Sequence, residues 1–148
     1  MANHVQNVLG IEGVAIQNVR CSVASKKSVF DFNEIYPLPE EALPEEKIQC
    51  WGTKGNAMAA AFHEENGSFS FQTLNAAPIP VIEVLAAHFP DHAFTLRWAD
   101  EGGGNCGEIA YRNGYEQYSF YPAEGTRWQA ELYELCWKQP MYIEGVNA

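Results

Sequence analysis

Positive charge is scarce in this sequence: 9 Lys and Arg stand against 19 Asp and Glu in 148 residues, a formal net charge of −10. Binding to a phosphate backbone depends on basic side chains that displace counterions, so generic nucleic-acid binding is disfavoured. Cysteine is also sparse. Cys21, Cys50, Cys106 and Cys136 lie far apart and form no CxxC pair, which excludes a zinc ribbon or thioredoxin-type motif and reads as four free thiols. No apolar run approaches the ~20 residues of a membrane span. The stretch MANHVQNVLG has neither the basic region nor the long apolar core of a signal peptide, so the expected location is the cytoplasm. Internal repeats, low-complexity tracts and long linkers are missing too, which leaves one domain over residues 1–148.

Apolar material is plentiful. Hydrophobic residues make up 47% of the chain and aromatics 13%, enough for a packed core rather than a disordered coil. His4 to Leu9 reads as a short strand and Glu12 to Val23 as a helix. Val29 to Tyr36 alternates, with Phe30 and Phe32 against Asp31 and Asn33, and predicts a half-buried strand ended by Pro37 and Pro39. Residues 37–56 read as a long loop with at most one helical turn. Ala57 to Phe62 and Ser68 to Leu74 flank Asn66-Gly67, a hairpin signal, and put Phe69, Phe71 and Thr73 on one face.

The block from Phe71 to Gly114 carries strand, helix and hairpin in succession. Pro80 suits a first helical turn, and Ile82, Leu85, Ala86 and Phe89 recur at helical spacing until Pro90. Phe94, Leu96 and Trp98 then alternate as a strand, followed by a glycine-rich loop and a second strand from Cys106 to Arg112. Thr126 with Gln129 is a capping-box pattern, predicting a C-terminal helix at about 125–137 with Trp128, Leu132 and Leu135 on one stripe. A short strand near Met141 to Ile143 would close the chain. This mixed order favours an α+β fold, a mostly antiparallel sheet with helices packed on one face.

Four tracts, MANHVQNVL, VFDFNEIYPLPEE, CWGTKGNA and the Phe71–Gly114 block, resemble the YubB ferredoxin-like domain family of phages and conjugative plasmids. The similarity spans roughly residues 1–114 and implies a ferredoxin-like sandwich in a mobile-element setting. It brings no catalytic residues with it. The family usually places a second tryptophan where Gly55 stands here.

Candidate sites follow from residue chemistry. Gly102 to Gly107 satisfies GxGxxG, yet Glu108-Ile109-Ala110-Tyr111-Arg112 after it alternates as a strand, and no helix N-terminus would face a phosphate. A hairpin tip is the better reading. His88 and His92 are separated by the helix-breaking Pro90, so no metal site and no cofactor is expected. Trp51, Thr53, Lys54 and Asn56 place an aromatic, a hydroxyl, an ammonium and an amide in one glycine-permitted turn, a candidate ligand site beside the simpler reading of a tryptophan plugging the core edge. Asp31, Glu34, Glu40, Glu41, Glu45 and Glu46 fall within sixteen residues that hold no Lys or Arg. With Asp100 and Glu101 they form the candidate partner-binding set. Tyr115, Tyr118, Phe120 and Tyr121 are either interface anchors or core.

The expectation is therefore a non-enzymatic acidic binding protein that blocks a basic, nucleic-acid-binding surface on a host protein such as a CRISPR effector. The alternatives are a ligand-binding protein or enzyme using the Trp51–Asn56 turn, and single-strand nucleic acid binding across the sheet.

Overall fold

The structure is a computed structural model that describes residues 3–141. Among these residues six strands form one sheet: β1 (His4–Glu12), β2 (Met58–His63), β3 (Ser68–Leu74), β4 (Ala93–Asp100), β5 (Cys106–Arg112) and β6 (Tyr115–Phe120). Their order is β2-β3-β1-β4-β5-β6, and every neighbouring pair is antiparallel. Four α-helices among the described residues accompany them: α1 (Ile16–Val23), α2 (Pro44–Trp51), α3 (Ile79–His88) and α4 (Arg127–Trp137). The α+β, ferredoxin-like expectation holds.

One face of the sheet builds the main core. Val5, Leu9 and Ile11 of β1 sit between Phe69 and Phe71 of β3 and Phe94, Leu96 and Trp98 of β4, all buried. Over them lie Val19 and Val23 of α1, Trp51 of α2, and Val81, Ile82, Leu85 and Ala86 of α3. Alternation in the strands and 3.6-residue spacing in α3 produce this layer, and burying each large side chain contributes about 1.5–3 kcal/mol. The helical extension α4 sits on the other face, where Leu132 and Cys136 pack on Ala99 and Cys106. Helices thus cover both faces rather than one.

Four expected elements are corrected by the structure. Val29 to Tyr36 is no strand: it is an irregular segment with a single 3₁₀ turn at Phe32–Glu34, capped by the Asp31 side chain, which accepts from Asn33 N–H at 2.9 Å. Its period-two pattern arises because Phe30 stacks on Phe71 at 4.7 Å while Phe32 meets Trp51 and Phe71 edge-on. The supposed loop over 37–56 contains α2. Pro44 opens it, Glu46 accepts from the Leu43 N–H, and Gly52 closes it at φ +92°. Residues 115–120, left without an element by the sequence reading, form β6. In α4 the buried stripe is Gln129, Ala130, Leu132 and Cys136, whereas Trp128 and Leu135 are exposed.

The hairpin over 64–67 forms as expected, with Gly67 at φ +66°. β1 runs on to Glu12, and α1 starts at Ile16 after Gly13. The final strand expected near Met141–Ile143 lies, beyond Met141, outside the described residues. Both sheet edges are irregular: β2 shifts register between Met58 and Ala61, with Ala59 at φ +50°, and the β5–β6 pairing shifts between Ala110 and Tyr111. Such bulges kink an edge and disrupt its ladder.

Candidate functional site

The acidic candidates divide into two groups. Asp31 is buried. It accepts from Asn56 Nδ2 at 2.8 Å as well as from Asn33, and although burial pulls its carboxyl upward, these bonds, one from Ser25 and the nearby Lys27 hold it below the usual carboxylate range. Asp100 is likewise buried, accepting from Asn3 Nδ2 at 2.7 Å and from the Asn105 N–H. Glu101 accepts from the backbone N–H of His4 and meets its Nδ1, contacts that lower its carboxyl. The buried Asp31 and Asp100 tie parts of the fold together, which corrects their assignment to a partner surface, whereas Glu101 stays exposed. Glu34, Glu40, Glu41, Glu45 and Glu46 are exposed, and none makes an ion pair among the described residues.

The ligand candidates at 51–56 turn inward, so that expectation too is corrected. Trp51 is buried and donates its Nε1–H to the Tyr36 carbonyl at 2.9 Å. The Thr53 hydroxyl, also buried, donates to the Leu74 carbonyl at 2.7 Å and accepts from the Leu74 N–H. Asn56 Oδ1 accepts from the Phe32 and Ala57 N–H groups while its Nδ2 holds Asp31. Lys54 keeps a half-exposed side chain and takes no part in this network. The simpler reading, a tryptophan plugging the core edge, is the correct one.

Other candidates resolve similarly. Residues 101–105 form the β4–β5 hairpin tip, with the Asp100 N–H bonded to the Asn105 carbonyl, and β5 rather than a helix begins at Cys106. At Gly107 an added Cβ would fall 2.5 Å from the Trp98 ring, so this glycine lets the indole pack. His88 is exposed at the end of α3, whereas His92 is buried with Nε2 at 2.7 Å from the Val14 carbonyl. Burial pushes the Cys106 thiol up and the Cys136 thiol up to about 12, which suits packing rather than nucleophilic chemistry. Among the described residues no group of three or more His, Cys, Asp or Glu is placed to hold a metal.

The sheet face opposite the main core carries a groove of about 720 Å³ that sequence reasoning did not find. Its floor comes from alternate residues of the central strands: Gln6, Val8 and Gly10 on β1, Ser68 and Ser70 on β3, Thr95 and Arg97 on β4. Register aligns Ser70, Val8, Arg97 and Glu108 across four strands. Arg97 Nε donates to Glu108, which also accepts from the Tyr118 hydroxyl at 2.6 Å. Despite burial, these partners hold the Glu108 carboxyl low, and the same bond raises the Tyr118 phenol. The C-terminal end of α4 forms one wall and the β2–β3 turn the other.

Within this groove His63 Nε2 lies 2.8 Å from the Ser70 hydroxyl, and Glu65 lies 3.8 Å from His63 Nδ1. Acyl transfer would also need donors for the oxyanion. Ser70 stands in β3, between β1 and β2, where strand pairing on both sides occupies the backbone. The pair is a hydrogen bond between neighbouring strands. A signal for it existed: once Phe69, Phe71 and Thr73 face the core, Ser68, Ser70 and Gln72 must face the other way.

A family model described as "Ferredoxin-like domain in Api92-like protein" matches residues 52–135. Among solved structures, the protein api92 from Yersinia pseudotuberculosis is similar in fold, with a TM-score of 0.52 and 15% sequence identity over 63% of this chain. The match covers 40% of that protein, so this chain spans less than half its length. No curated protein sequence matches.

Proposed function

Since the chain belongs to the family of the ferredoxin-like domain in Api92-like proteins, we propose that it is a non-enzymatic docking protein whose acidic segment occupies a basic surface on a partner protein. The observation that carries this reading is the outward half of residues 34–48. Glu34, Glu40, Glu41, Glu45 and Glu46 are exposed and have no cation partner among the described residues, and beside them Leu43 and Ile48 are 59% and 51% exposed. Glu45 and Glu46 in the first turn of α2 are also favourable to the helix itself. That local role accounts for neither the loop carboxylates nor the uncovered aliphatic side chains. Spaced carboxylates steer a basic partner, and apolar anchors between them supply the desolvated contact that holds it.

The resemblance to YubB-type proteins of phages and conjugative plasmids supports a host-directed setting. There the partner would be a nucleic-acid-handling or defence protein, such as a CRISPR effector, whose groove for DNA or RNA is basic. Direct single-strand nucleic acid binding is less well supported, because the chain carries a formal net charge of −10. Pull-down from a host lysate with wild-type protein and the Glu40→Lys, Glu41→Lys, Glu45→Lys, Glu46→Lys variant tests the proposal. Capture should fall with rising salt and vanish in the variant; capture indifferent to both would overturn it.

A further inference from the structure

Among the residues lining the open-face groove is a glycine that the backbone does not require. Gly10 lies within β1, paired with Ser68 on one side and Thr95 on the other in unbroken ladders. It lies outside the left-handed region, and a Cβ added there would meet nothing nearer than the Thr95 carbonyl oxygen at 3.9 Å. Gly52 and Gly107 differ, since an added Cβ would collide with Pro80 or Trp98 at 2.5 Å. Glycine inside a strand weakens it through backbone entropy and forgoes a packing side chain, and it often marks a place where another backbone or a ligand comes close. Here the strand has been opened on the groove side only. The Thr95 hydroxyl next to it makes no hydrogen bond among the described residues, although it lines the same groove.

Charge along the groove is sorted by end. Glu12 closes β1, and Glu65 sits in the β2–β3 turn, which the Ile11 N–H to Gly67 carbonyl bond draws to the same end. Toward α4 lie Arg97 and Lys138. Glu12 and Lys138 form no ion pair among the described residues, while Arg97 Nε faces Glu108. Four residues of β1 separate the level of Arg97 from Glu12, about 13 Å at ~3.3 Å per residue. Three extended residues span about 10 Å.

We propose that this groove binds a short peptide with free termini, independently of the acidic segment. Its ammonium lies between Glu12 and Glu65, its carboxylate toward Arg97 and Lys138, and its backbone over Gly10. The probe is trialanine, titrated into ¹⁵N-labelled protein and followed by amide shifts. Saturable shifts are expected at Gly10, Ser68 and Thr95, with affinity falling roughly tenfold or more when the peptide is N-acetylated and C-amidated. Gly10→Val should leave the melting temperature unchanged or higher, because valine favours strands, and should abolish the shifts. Should Gly10→Val fail to fold, the double variant Glu12→Gln, Glu65→Gln decides, since both side chains are exposed; it must weaken trialanine. No saturable shift, equal binding of the blocked peptide, or unchanged binding by a folded variant would each overturn the proposal.

Discussion

The two faces of this sheet are made by the same strands and obey different rules. On β3, Phe69, Phe71 and Thr73 point into a core of packed rings, and Ser68 and Ser70 point the other way into the groove. On the first face a residue matters for the volume it fills, because apolar packing is close and a lost ring leaves a cavity. On the second it matters for its partner, which strand order brings alongside. Stability and recognition can therefore be altered almost separately by substitutions one residue apart.

The largest effect that would sharpen this contrast is Phe71→Ala. Phe71 is fully buried and in ring contact with Phe30 and Phe32, so truncation should cost about 3–5 kcal/mol in chemical denaturation. Next comes Asn56→Ala, which strips partners from Asp31 and from two backbone N–H groups. A loss of about 1–3 kcal/mol is expected. Ser70→Ala, one residue from Phe71 but on the groove side, removes a half-buried bond to His63 and should cost about 0.5–1.5 kcal/mol. If it matched Phe71→Ala, the distinction between the faces would fail. The smallest expected effect is in pH. Because the folded Asp31 carboxyl is held below its ordinary value of 3.8, its contribution is present at neutral pH and lost as pH falls through the folded value. Below that ordinary value the gap between Asp31→Asn and wild type should narrow in urea titrations.

The core face was legible because burial writes itself as periodicity. Phe94, Leu96 and Trp98 alternate, α3 repeats at helical spacing, and Thr126 caps α4 through the Gln129 N–H as its pattern implied. Phe30 and Phe32 show where that signal misleads. Two rings on one side of an acid look like a strand, yet a tight turn capped by the acid puts them on one side as well. Residues 37–56 mislead for a different reason: they read as a loop, although Pro44 stands in the first turn of a helix, where a missing N–H costs nothing. For the turn at 51–56, composition announced chemistry, but whether Thr53 or Asn56 faces solvent depends on Leu74 and Phe32, far away in sequence. The groove was hidden for the same reason, since Ser70 and Arg97 meet only through strand order.

The interrupted edges of the sheet have a consequence for how these molecules behave in a crowd. An incoming strand that tried to extend the ladder would fall out of step at Ala59 on one side, or where β5 and β6 change register on the other. The hydrogen-bonding pattern therefore stops at the boundaries of each molecule. Such bulges are one of the ways a sheet edge is blunted against pairing with another chain.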